Sequence, residues 1–314
     1  MLDLRDVSVR FPRSRRPALR ELSLCIGTGE SWGIIGESGA GKSTLLGLMS
    51  GEITPSTGSV LWRGKPLKRG APLRQLRNDL GVIAQRPREA LDPRQTAFEA
   101  VWEASALFGT PWTKAQTEHL LDTVGLRRER WHSRPDELSG GECQRTNLAR
   151  AVAKSPALLL ADEPLVSLDH EAARLLQPII VNLALNASTA LVYVTHDLTD
   201  DVLRDAGIAV FLDGWCVEVV PPPDPRWLRE VGDLATTGVL SRRLLHPYSH
   251  YLVLASVSPV PPRQRAATGC PFHPSCPHVR EDCRLRVPDE NELVPGRKIR
   301  CFAVTGEPTS PIDY

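Results

Sequence analysis

The stretch Gly36-Glu37-Ser38-Gly39-Ala40-Gly41-Lys42-Ser43-Thr44 constrains this chain more than any other. It fits the pattern G-x-x-x-x-G-K-[ST], with Gly36, Gly41, Lys42 and Ser43 in the fixed positions. Before it, Ser31-Trp32-Gly33-Ile34-Ile35 is a short apolar run that reads as a buried strand. After it, Leu45-Leu46-Gly47-Leu48-Met49 reads as the start of a helix. A strand, a glycine loop and a helix N-terminus make an anion site, because successive backbone N–H groups and the helix dipole favour negative charge. In such a loop Lys42 would reach the β- and γ-phosphates of a nucleotide, and the Ser43 hydroxyl would ligate Mg²⁺.

A length of 314 residues allows about two domains and a well-buried core. The formal net charge of +1 argues against a chain dominated by nucleic-acid binding. Met1-Leu2-Asp3-Leu4-Arg5-Asp6 lacks the apolar segment of an export signal. The most apolar region, Leu175 to Val194, is broken by Gln177, Pro178, Asn182 and Asn186, and reads as a helix and a strand rather than a membrane span. Any membrane role is therefore expected to come through partners.

Along the chain, Leu2 to Arg10 and Leu22 to Ile26 alternate as strands, and Val60-Leu61-Trp62 is another. These antiparallel pieces are expected to flank the strand of the phosphate loop. Leu80 to Ala84 is a further short strand that ends at Gln85. Helical spacing dominates from about 86 to 138, as in Ala115, His119, Leu120 and Val124, and suggests a helical subdomain inserted into an α/β core. Leu158 to Ala161 and Leu191 to Thr195 read as buried parallel strands, and Ile208 to Val220 as a hairpin turning at Asp213-Gly214. Pro221-Pro222-Pro223-Asp224-Pro225 marks a boundary. A Pro-rich remainder follows, with helical stretches near Pro225–Leu228 and Tyr248–Val257.

Asp162 and Glu163 follow the apolar run Leu158–Ala161. A strand end beside a phosphate loop is where a Mg²⁺-coordinating acid is needed, and Asp162 fits. Glu163 could orient or deprotonate an attacking water. Leu138-Ser139-Gly140-Gly141-Glu142 opens another helix, and its N-terminal N–H groups form a second anion site.

The phosphate loop, Gln85, Leu138–Arg145, Leu158–Pro164, Ser167-Leu168-Asp169 and His196 occur in an order and at intervals that resemble the ATP-binding cassette (ABC) ATPases. The resemblance covers residues 1 to about 260 and implies a P-loop NTPase fold with an antiparallel β subdomain and an inserted helical subdomain. It implies ATP hydrolysis by a head-to-tail dimer, in which one subunit's phosphate loop meets the other's Ser139, Gly140, Gly141 and Glu142. It also implies that Gln85 senses Mg²⁺ and the γ-phosphate and that His196 helps position the water. Asp169 would lie at the dimer seam. Phe11 occupies the place where the family stacks an aromatic on adenine. This sequence departs from the family in having Glu142 where Gln is commoner and Val166-Ser167 where a small-residue pair is commoner; neither change removes an essential group.

His246-Pro247-Tyr248-Ser249, the run Gly269 to Pro277, and Arg86-Pro87 through Arg94 resemble, more narrowly, the ATPases of oligopeptide, dipeptide and nickel importers. On that reading residues 1–220 are the ABC ATPase domain and 221–314 a Pro/Cys-rich C-terminal extension. The resemblance implies transmembrane permease subunits as partners, a second ABC ATPase subunit, an extracytoplasmic substrate-binding protein acting indirectly, and residence at the cytoplasmic face of the membrane.

Cys270, Cys276, Cys283 and Cys301 form C-x₅-C-x₆-C-x₁₇-C. Four thiolates can hold zinc or a [4Fe–4S] cluster, and these gaps are wider than the short knuckles usual for zinc. Members of the resembling importer family carry a [4Fe–4S] cluster at such a motif. His273 and His278 lie inside it as alternative ligands, though both read better as plain surface loop. An energy-converting importer subunit for peptides, or for nickel and metal chelates, is the leading expectation. A soluble ABC ATPase of an assembly machine is the alternative. A small-molecule kinase is opposed by Leu138–Glu142.

Overall fold

The computed structural model describes residues 1–14, 16–106, 112–166, 168, 170–186, 188–223 and 235–305. Its frame is a 12-stranded sheet among those residues. The parallel part runs β9 (Gly207–Leu212), β3 (Ser31–Gly36), β8 (Ala190–Thr195), β7 (Leu158–Asp162), β6 (Leu80–Ile83). Successive residues of these strands enter different cores. Ile34, Leu158, Leu160, Val192 and Val194 pack on one face. Ile35, Leu159, Ala161, Leu191 and Tyr193 pack on the other. The period of 2 in a strand makes this division, and burial of both faces is why these strands read as continuous apolar runs.

The antiparallel strands β1 (Leu2–Val9), β2 (Leu19–Ile26), β4 (Thr57–Trp62) and β5 (Lys65–Pro66) form one end of the sheet. They do not flank β3, as their place in the sequence suggested. β3 lies between β8 and β9, and the antiparallel group joins at β10 (Trp215–Val220), where Trp215 pairs with Arg20. Sequence neighbours need not be sheet neighbours once parallel crossovers separate them.

The helices Ala97–Ala106 and Lys114–Thr123 pack against Gly140–Val152, as the helical spacing of 86–138 predicts. β9 and β10 form a hairpin in which Leu212 pairs with Trp215 across Asp213 and Gly214, at φ 48° and 84°. Positive φ at both central residues is what the right-handed strand twist selects.

The C-terminal third is more ordered than its proline content suggests. Val294-Pro295-Gly296-Arg297 turns one strand into the next, with Gly296 at φ 79°, as Pro followed by Gly favours. The resulting hairpin, β11 (Asn291–Val294) and β12 (Arg297–Ile299), adds to β10. The helical stretch expected near Pro225–Leu228 lies outside the described residues, while the second is a helix over Pro247–Val257.

His246-Pro247-Tyr248-Ser249 docks that helix. His246 Nδ1 accepts from Tyr248 N–H at 3.0 Å and caps the helix. Its Nε2 lies 3.2 Å from the Arg300 carbonyl, so the neutral tautomer protonated at Nε2 satisfies both bonds. Burial pushes the His246 pKa down to about 4. Pro247 takes the first helical turn, where no N–H is needed. The Ser249 hydroxyl donates to Glu218 at 2.6 Å, and Glu218 also accepts from Leu245 and His246 N–H. Glu218 is fully buried; burial raises its pKa, and these donors work against that rise.

Candidate active site

The phosphate loop leaves β3 at Gly36 and enters the helix Lys42–Met49. Two glycines are required by close approach. A Cβ on Gly36 would lie 2.3 Å from the Phe211 carbonyl oxygen, and one on Gly41 2.5 Å from that of Ala18; both residues have positive φ. Only glycine fits both the space and the backbone there.

The loop forms one wall of a cleft of about 560 Å³, within the range of small-molecule sites. Its lining includes Glu37 to Gly39, Gly41 to Thr44, Gln85, Asp162, Glu163 and His196. Residues far apart in the chain thus converge. Lys42 is buried, and its ammonium donates to the carbonyls of Gly36 at 2.6 Å and Glu37 at 3.1 Å. Burial lowers its pKa, against the opposing pull of Glu163, Asp162 and Glu37. Asp162 ends β7, and burial, with Glu163 adding to it, raises its pKa.

Glu163 stands at φ 44°, a left-handed conformation costly for a residue with a side chain. Its N–H donates to the Val194 carbonyl at 3.0 Å, which fixes the bend beyond β7. Gln85 Nε2 donates to Glu163 Oε2 at 3.0 Å, and His196 Nδ1 lies 3.4 Å from Glu163 Oε1. The ends of β6, β7 and β8 therefore deliver Gln85, Glu163 and His196 to one carboxylate. Such a group can hold and orient a water and accept its proton. Oxygen donors at Ser43, Gln85 and Asp162, beside the half-buried Glu163 carboxylate, suit a hard cation such as Mg²⁺.

Ser139 to Glu142 stand elsewhere on the molecule. Ser139 and Gly140 are exposed, at the N-terminus of the helix Gly140–Val152. The Ser139 hydroxyl accepts from Glu142 N–H at 3.3 Å, and Glu142 Oε2 accepts from Ser139 N–H at 2.8 Å. This capping box accounts for glutamate at 142. Although burial works against its charge, these bonds and Arg130 hold the Glu142 carboxyl below its ordinary pKa. Phe11 is 42% exposed and so is no core residue. Asp169 lies outside the described residues.

The sequence singled out Tyr248 within His246–Ser249 but gave no sign that it, or Arg263, meets Glu37. Tyr248 and Arg263, 211 and 226 positions away, both reach it from the C-terminal third of the chain.

The ABC transporter family profile matches residues 19–166. Among curated proteins, a protein of Sinorhizobium fredii described as a probable peptide ABC transporter ATP-binding protein is 31% identical over 305 residues, covering 90% of this chain and 82% of the relative. A di/tripeptide transport ATP-binding protein of Pseudomonas aeruginosa is 30% identical, covering 90% of this chain and 89% of its own.

The chain belongs to the ABC transporter family. It is an ABC ATPase, for which ATP and Mg²⁺ are expected. A methionine import ATP-binding protein of Nocardia farcinica is 38% identical, covering 69% of this chain and 66% of the relative. Among solved structures, a dimeric ATP-binding cassette in a post-hydrolysis state with ADP and Pi is 28% identical. It superposes with a TM-score of 0.62 over 69% of this chain and 96% of that one. Among the described residues of this chain, no helix is long and apolar enough to cross a membrane.

Cys270, Cys276, Cys283 and Cys301 lie close enough to influence one another's charge. Cys270, Cys283 and Cys301 are buried and Cys276 is half-buried. Burial first, and the neighbouring cysteines with it, push Cys270 up to about 12 and Cys276 to about 11. Cys301 is raised for the same reasons. Among the described residues, no three His, Cys, Asp or Glu side chains stand as a group able to hold a metal. His273 Nδ1 is turned to the Cys270 carbonyl at 2.9 Å. Thiols are the donor type a soft metal centre takes, but these four do not gather into a metal-holding group among the described residues.

Proposed function

We propose that this ABC ATPase is the energy-converting subunit of an importer for peptides, or for nickel or other metal chelates. The observation that carries this reading is the extent of similarity. The two peptide-transport relatives align over 90% of the chain, whereas the methionine-import relative aligns over 69%. The partners are transmembrane permease subunits, a second ABC ATPase subunit and, indirectly, an extracytoplasmic binding protein. The subunit lies peripherally at the cytoplasmic face of the membrane.

In this reading the N–H groups of Gly36 to Thr44 and the Lys42 ammonium hold the ATP phosphates. Ser43, Gln85 and Asp162 would hold Mg²⁺, which neutralises phosphate charge. Glu163 accepts the proton of the attacking water, and His196 and Gln85 orient Glu163. Ser139, Gly140, Gly141, Glu142 and Asp169 act on the nucleotide of the opposite subunit; Ser139 to Glu142 are absent from the lining of this subunit's cleft. Phe11, exposed, stacks on adenine. Cys270, Cys276, Cys283 and Cys301 hold a [4Fe–4S] cluster, or zinc, that cross-links the extension.

Reconstitution of the subunit with its permease in liposomes tests the function. ATP hydrolysis should rise when the binding protein carries a peptide or a nickel chelate. Stimulation by methionine alone, or the absence of any membrane complex, would overturn the reading.

A further inference from the structure

The extension touches the phosphate loop directly. The buried Arg263 donates from Nε to Glu37 Oε2 at 2.7 Å and from Nη2 to Asp213 Oδ1 at 3.1 Å. Its side chain is 4% exposed, and Nη1 is buried with no hydrogen-bond partner. The guanidinium is therefore balanced by these two carboxylates. Asp213 belongs to the β9–β10 turn, and the next residue, Gly214, donates its N–H to the Ala40 carbonyl of the phosphate loop at 3.1 Å. Arg263 thus ties the loop to the turn that already touches it.

Tyr248 makes a second link. Its hydroxyl accepts from Glu37 N–H at 3.3 Å, and Arg263 lies 5.9 Å from its ring centroid. Tyr248 is fully buried and meets Phe272 edge-on at 5.4 Å. Phe272 sits in the segment between Cys270 and Cys276. One packed chain of groups therefore runs from the cysteine segment through Tyr248 to Glu37. An anion site made of backbone N–H groups depends on their orientation, and Glu37 is the second residue of that loop.

We propose that the C-terminal extension positions the phosphate loop, with Arg263 and Tyr248 as positioning residues for ATP binding. The extension is then part of the nucleotide site, acting through Glu37 without touching the nucleotide. This rests on Gly36–Thr44 holding the ATP phosphates.

Steady-state ATP hydrolysis and equilibrium binding of a fluorescent ATP analogue by the full-length protein test it, on the Arg263→Ala, Arg263→Lys, Tyr248→Phe and Lys42→Ala variants. Arg263→Ala should raise KM and Kd about 10-fold with kcat within about twofold, because a distorted cradle weakens ground state and transition state alike. Arg263→Lys should restore part of the loss by keeping the charge but not the fork. Tyr248→Phe keeps the packing and removes only the acceptor; it should weaken binding about threefold, the scale of one hydrogen bond. Arg263→Ala combined with Glu37→Gln should be no worse than the weaker single variant, since both break one contact. A general loss of thermal stability at unchanged Kd would overturn the proposal. If Arg263→Ala fails to fold, an unchanged Kd for Tyr248→Phe overturns it as well. Lys42→Ala separates the two failures. Wild-type binding by Lys42→Ala would remove the site itself. Lost binding there, with wild-type binding by Arg263→Ala and Tyr248→Phe, would remove only the positioning role.

Discussion

Gln85 and Glu163 are 78 positions apart, yet the Gln85 amide donates to the Glu163 carboxylate at 3.0 Å. This contact joins the end of β6 to the end of β7, and therefore the segment leading into the helices Ala97–Ala106 and Lys114–Thr123 to the proposed general base. A shift of that segment would move Gln85 and change how Glu163 is held.

If Glu163 takes the proton of the attacking water, Glu163→Gln should lower kcat by about 10²- to 10⁴-fold, the usual contribution of a general base. ATP binding should persist, because Lys42 and the loop N–H groups are untouched. Size-exclusion chromatography with ATP should show this variant as a dimer. A monomer at all ATP concentrations would remove the shared-site reading of Ser139–Glu142.

The reciprocal bonds between Ser139 and Glu142 cap the helix Gly140–Val152. Glu142→Ala should cost about 1 kcal/mol of stability, read as a lowered urea midpoint. Glu142→Gln should retain most of it, because the amide oxygen can still accept from Ser139 N–H.

Asp200 is largely enclosed, with Thr195 Oγ1 donating to it at 2.8 Å and Gln177 Nε2 at 3.3 Å. Burial first, with Asp197 adding to it, raises its pKa from 3.8 to about 6; the Thr195 bond, Tyr193 and His196 oppose the rise. The folded state then holds the proton more tightly than the unfolded chain. This contribution to stability is complete below the unfolded pKa and is lost as pH rises through the folded one. Between pH ~4 and ~6 the wild type should lose up to about 3 kcal/mol from this group. Asp200→Asn should flatten that slope in a series of urea midpoints across the same range.

Anaerobically purified protein tests the cysteine group. A broad visible band with about four irons per chain is expected, and Cys276→Ser should remove both. Zinc with no iron would replace the cluster assignment with the tetrahedral alternative.

Much of the candidate site was legible as a set of residues because its pattern is locally encoded. A glycine with φ beyond +100° or a lysine after a tight turn leaves a short, fixed pattern, and Gly36, Gly41 and Lys42 show it. Acids at the end of an apolar strand do the same for Asp162 and Glu163. The buried strands were equally legible, since both faces lie in apolar cores. Their order was not: nothing in the antiparallel pieces states that β9 and β10 separate them from β3.

The C-terminal third marks the division most clearly. Its sequence alone determined four cysteines at set gaps and a helical stretch near Tyr248–Val257, each a property of a few neighbouring residues. Only the tertiary structure decided that β12 extends the sheet at β10 and that Glu218 is sealed beneath His246 and Ser249. It alone brought Arg263 and Tyr248 to Glu37. Long-range pairs of this kind depend on where separate elements pack, and packing is set by complementary surfaces spread over the whole chain rather than by any local run of residues.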